Sequence, residues 1–221
     1  MAVGNDYANN ALRSIWGRIF AISKDHGLLL NEHLAIDPPG TGAGSVNGST
    51  IVAREQGMGS VHITTLTLTN TPLSVVSVTT GNGVGGFKLY TFPEGYIHVL
   101  GAHATNLDFS IASGKQADFT DATPEGQIGI GSLLPANADA LGTDATDDDI
   151  CTAADITFAA YAAADQTLKA DAATLVLNGS STAEDVNLTV LIDAADIDDG
   201  VTTEILVSGT VVVPWIFAGD L

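Results

Sequence analysis

A chain of 221 residues that is 45% apolar suits one domain with a sizeable core, and it excludes a disordered chain despite a formal charge of −19. Residues 1–55 hold four bases (Arg13, Arg18, Lys24, Arg54) against five acids, a net of −1, whereas the rest holds three bases against 21 acids, a net of −18. A body of that sign repels phosphate backbones, so nucleic acid is excluded as its partner and only the N-terminal segment suits an anionic one.

The first predicted element is an amphipathic helix. Leu12, Ile15, Trp16, Ile19 and Phe20 fall at i, i+3, i+4, i+7 and i+8, with Asn9 or Asn10 placed to cap it. The stretch IFAISKDHGLLLN equally fits a hairpin turning at KDHG, so helix and hairpin both stand for residues 9–31. Residues 1–36 form a predicted N-terminal arm. Residues 37–58 follow as a linker, densest in Pro, Gly and Ser over DPPGTGAGSVNGST.

From residue 59 to 221 the period is two. VHITTLTLTN puts Val61 and Ile63 on one parity and Leu66 and Leu68 on the other, which predicts a bulge near Thr64–Thr65. LSVVSVT, GFKLYTF, YIHVLGAHATNLDFSIAS, QIGIGSL, DITFAAYA, ATLVLN, EDVNLTVLID and TTEILVSGTVVVPWIF continue the series. Turn chemistry separates them in TGNGVGG, FPEG, NGSS and DIDDG. About eight to ten strands at this spacing predict an all-β fold, an antiparallel β-sandwich of jelly-roll type. Only 153–173 is rich enough in alanine for a short helix to replace a strand.

Candidate chemistry is sparse. GTDATDDDICTAAD places Asp144, Asp147, Asp148 and Asp149 within six positions, but an EF-hand loop needs a glycine at its sixth position and a glutamate at its twelfth, and neither is in place. The same holds for DAADIDDG, Asp193–Gly200. Both segments are read as turns whose carboxylates cap backbone N–H groups. GNGVGG matches a phosphate-binding glycine pattern by letter, yet an alternating strand follows where a helix is required. His98 and His103, five apart, fall on opposite faces of a regular strand unless Gly101 bulges, and His26, His33 and His62 are scattered. Cys151 is the sole cysteine, so neither an internal disulfide nor a thiolate zinc cluster can form. No G-x-S-x-G elbow is present, and 6% aromatic content is low for a carbohydrate-cleaving cleft. No catalytic residue, metal or cofactor is expected. Without a secretory signal or an apolar run long enough to span a bilayer, the product is expected to be soluble, to avoid membranes and to be made in a cytoplasm.

What remains is an interaction surface. Trp16 lies between Arg13 and Arg18, and Trp and Arg dominate binding hot spots. Arg13, Ile15, Trp16, Arg18, Ile19, Phe20 and Lys24 are the candidate docking residues.

The order of features from Val61 onward carries a resemblance. FKLYTFPEGYIHVLGAHATNLDFSIAS, QIGIGSLLPANADALGTDATDDDICTAAD, STAEDVNLTVLIDAAD and the closing SGTVVVPWIFAGDL resemble tailed-phage virion structural proteins common in marine phages. The resemblance covers about three quarters of the chain and rests on strands and turns. It implies a head decoration (cement) protein on the capsid exterior, made in the host cytoplasm. Its partners would be the major capsid protein and further copies of itself, a trimer before a dimer, and no catalytic residue is carried over. A fibre adhesin for a host surface glycan is the alternative, and a carbohydrate-active enzyme a more distant one.

Overall fold

The computed structural model describes residues 50–58, 60–77, 81–135, 141, 148–169 and 175–219. Within them the fold is all-β: a single antiparallel sheet of eleven strands, curled into a half-barrel that encloses a sandwich-like core. The strands are β1 (Ile51–Met58), β2 (Val61–Ser77), β3 (Gly83–Thr91), β4 (Gly95–Val99), β5 (His103–Ile111), β6 (Glu125–Gly131), β7 (Cys151–Thr157), β8 (Ala162–Lys169), β9 (Leu175–Gly179), β10 (Asp185–Ile192) and β11 (Thr202–Gly219). Residues 51–58, read above as the end of the linker, are thus a full member of the sheet. The alanine-rich stretch after residue 153 is strand in β7 and β8, not helix.

Two long strands form the spine. β2 and β11 pair from Thr202↔Val76 to Ile216↔Val61. The free side of β2 is shared by β1, against its first half, and β3, against its last residues. The free side of β11 is shared by β5 and β4, which carry β8 and β9 in turn. β3 leaves β2 after Gly85, continues beside β10, and is followed by β6 and β7. A Cβ on Gly85 would lie 2.1 Å from the Ser74 carbonyl oxygen, so only glycine allows that close approach.

The curl has a local cause. Asn70 on β2, Gly209 on β11, Asn106 on β5 and Asp165 on β8 all have positive φ, at 46°, 141°, 50° and 56°. They sit on four neighbouring strands where the registers shift, between Val207 and Gly209 and between Ala104 and Phe109. Such bulges add twist and bend the strand that carries them, and in a row they crease the sheet. Side chains lock the crease: Asn70 N–H donates to Ser208 Oγ at 2.8 Å, and Asp165 N–H to Asp108 Oδ1 at 2.9 Å. The bulge expected at Thr64–Thr65 is absent, because β2 alternates regularly until this crease.

The core fills the concave side. Trp215, Tyr90, Phe92, Phe109, Phe158, Leu66 and Leu73 are all fully buried. Phe92 meets both Tyr90 and Trp215 edge-on, at centroid distances of 5.4 and 5.2 Å, a favourable geometry for aromatic pairs. β10 is buried on both faces from Val186 to Ile192, with the polar Asn187 and Thr189 included.

Candidate functional site

A polar centre lies inside the apolar core. Glu55 on β1, His62 and Thr64 on β2, Tyr90 on β3 and Trp215 on β11 meet at one level, set by the registers Glu55↔Thr64 and His62↔Trp215. His62 Nδ1 lies 2.5 Å from Glu55 Oε1, and the Tyr90 hydroxyl donates to Glu55 Oε2 at 3.1 Å. Trp215 Nε1–H donates to Thr64 Oγ1 at 2.9 Å, and the His62 ring stacks on the indole, centroids 4.1 Å apart. Burial, reinforced by the Glu55 charge, raises the Tyr90 phenol above its ordinary value, so it remains a neutral donor. A histidine oriented by a carboxylate has the ingredients of a general base. Here the glutamate is spent on two partners and the imidazole face on Trp215, an arrangement that fixes how β1, β3 and β11 meet β2.

The acidic turns serve the backbone where they are described. Asp148 Oδ2 accepts Ala153 N–H at 2.9 Å. Asp149 accepts the N–H of Ser132 at 2.7 Å and its hydroxyl at 2.8 Å. Burial raises the Asp149 carboxyl above the ordinary carboxylate value, and the Ser132 hydrogen bonds pull the other way. Asp196 Oδ2 likewise accepts Glu125 N–H at 2.8 Å. Asp144 and Asp147 lie outside the described residues, as do Arg13, Ile15, Trp16, Arg18, Ile19, Phe20 and Lys24 of the candidate docking arm.

The glycine pattern is built for strand packing. β3 begins at Gly83, and a Cβ on Gly86 would meet the Leu188 carbonyl oxygen at 2.7 Å. His98 and His103 share the outer face, not opposite faces, because Gly101 (φ 122°) interrupts the alternation between β4 and β5. They pair with Ile216 and Val212, four residues apart on β11, which separates them by roughly 13 Å, too far for one ion. Among the described residues no three His, Cys, Asp or Glu side chains are grouped to hold a metal. Cys151 is buried, its thiol donates to the Ala102 carbonyl at 3.3 Å, and burial pushes its pKa up to about 12. Such a thiol is a poor nucleophile. An open cleft of about 410 Å³ is lined by Asn82, Glu125, Gln127, Asp155, Thr157 and Asp193, among others. Gln127 bridges its wall, donating to Asp155 and accepting from Leu141 N–H.

The most distinctive surface is the outer face of the sheet on the β1 side of the crease. Cross-strand registers give its rows: Val61–Ile216–His98–Val176, then Gln56–Ile63–Pro214, then Arg54–Thr65–Val212–His103–Lys169, then Val52–Thr67–Thr210–Thr105. Leu100 extends the second row through its N–H bond to the Pro214 carbonyl. No carboxylate occupies any of these positions. Val52, Val61, Ile63, Leu100 and Val176 are exposed, Val52 to 63%. Sequence reading missed this face because Val61 and Ile63 point outward: their parity marks a second apolar surface and not a slip toward the core.

No protein-family model matches the chain, and no curated protein matches it in sequence.

Proposed function

We propose that the chain is a non-enzymatic head decoration (cement) protein of a tailed phage. It oligomerises on the capsid exterior and reinforces the shell through contacts that bridge major capsid subunits. The observation that carries this reading is the outer sheet face, where apolar side chains gather without a carboxylate in a chain of charge −19. Contiguous exposed apolar surface of that kind suits protein–protein contact. The strand-and-turn resemblance from Val61 onward supplies the virion context. In this reading the arm (Arg13, Ile15, Trp16, Arg18, Ile19, Phe20 and Lys24) docks on the capsid lattice, and several arms engaged at once raise the affinity of the whole.

The test is mass spectrometry of purified particles. Copy numbers comparable to the shell protein are expected. A handful of copies per particle would instead favour the fibre adhesin. Particles decorated with Trp16→Ala protein should lose occupancy while the free variant keeps its fold, and full occupancy would remove the arm from the mechanism.

A further inference from the structure

The outer face calls for a partner of definite chemistry. It holds Arg54 and Lys169 at the two ends of one row, with His103 between them, and these two cations make no ion pair among the described residues. The other two described cations are committed, Lys88 to Asp185 and Lys115 to Asp118. The complement of an apolar, carboxylate-free face with cationic ends is an apolar projection beside carboxylates. The same chain presents one. Of the eight exposed large apolar residues among the described residues, five lie on the face; Val76 stands apart, and Leu133 and Leu134 are adjacent. This dipeptide follows β6, near the far end of the strand order from β4 and β9. Its base is fixed, since Asp149 holds Ser132 through two hydrogen bonds and Leu134 Cδ2 lies over Gly86, and Asp148 is next to Asp149 in the chain.

From this we infer that the outer face of one copy receives the Leu133–Leu134 projection of a second copy, in a head-to-tail contact that closes into a ring. The inference deepens the oligomer part of the proposed function and names its two surfaces. Charge selects this pairing over face against face. Two identical faces would oppose cation to cation, whereas face against projection brings one cationic end of the row, Arg54 or Lys169, toward Asp148 and Asp149. Size points to closure as well. Five strands by four rows give a footprint of roughly 400 Å², against ~800 Å² per partner in a standard interface. A single contact of that size is weak, and a ring gives every copy two.

The test is complementation, read by sedimentation velocity on the full chain. Ile63→Glu spoils the face and leaves the projection intact; Leu133→Glu does the reverse. Both positions are exposed, so circular dichroism and melting should match wild type, and Val176→Glu, at the far side of the face, and Leu134→Glu repeat the pair. Wild type should sediment as a closed oligomer and each variant alone as a monomer. An equimolar mixture of the two variants should form dimers at raised concentration, because one sound contact survives between them. A monomeric wild type, a variant that still assembles, or a mixture that stays monomeric while wild type assembles would each overturn the inference. Oligomer size is measured on the free chain and copy number on particles, so failure here leaves the virion reading separately testable.

Discussion

Glu55 shows how one residue can organise a region. It is an acid at 4% exposure, and its two oxygens are taken by His62 and by Tyr90. A hydrogen bond to a charged group contributes about 1.5–3 kcal/mol, and a buried acceptor left short of a partner costs a similar amount. Tyr90→Phe removes the donor without altering the ring contacts with Phe92. It should therefore lower stability by about 1.5–3 kcal/mol near neutral pH, measured by urea unfolding. The pH dependence has a definite sign. Burial and the Glu55 charge raise the Tyr90 phenol in the folded state above its ordinary value of 10.0. The unfolded chain then loses this proton first, so the stability tied to it is complete below the ordinary phenol range and declines as pH rises through it. The gap between wild type and Tyr90→Phe should narrow above about pH 10. A gap that stays constant into that range would mean that the phenol does not hold its proton as described.

At the scale of elements, the crease decides the shape. Gly209 has φ of 141°, and a Cβ there would lie 2.6 Å from the Asn106 carbonyl oxygen. Gly209→Ala must therefore strain β11 and push β5 away, at a cost of about 2 kcal/mol or more. Asn106→Gly, at another positive-φ position with no such clash, should change stability by less than about 1 kcal/mol. Thermal melts of the two variants check the contrast, and equal losses would place the bend elsewhere. Position-dependent demands of this kind mark the limit of what the sequence discloses. Alternation and turn residues disclosed the all-β class and the strands after Val61 other than β8, since a half-buried strand leaves a period of two and the alanine-rich AAADQTLK does not show it. They did not disclose β1, whose inward series Ile51, Ala53, Glu55 ends on a carboxylate. They misplaced the bulge, because a pattern of apolar residues cannot tell a core face from a second apolar face. The polar centre was hidden for another reason. Glu55 and Trp215 stand 160 positions apart, and only the order β1–β2–β11 brings them together.

For the whole molecule, charge sets the terms of assembly. Each copy carries −19, and the cations that could offset it locally are few. At 0.01 M ionic strength the screening length is about 30 Å, on the scale expected for a compact domain of this length, so two copies repel through their total charge. At 0.15 M it is about 8 Å, and only charges at the contact itself are felt. The apolar part of the inferred head-to-tail contact is largely indifferent to salt over this range, while the attraction of Arg54 or Lys169 to Asp148 and Asp149 is short in reach and survives it. Relief of the long-range repulsion therefore outweighs loss of local attraction, and self-association should tighten between 0.01 M and 0.15 M salt. Above that range it should level off as the local pairs are screened in turn. Sedimentation velocity across a salt series measures the trend on the same full chain used for complementation. Association that weakens steadily from the lowest salt upward would mean that ion pairs, and not the burial of Val61, Ile63 and their neighbours, hold the copies together.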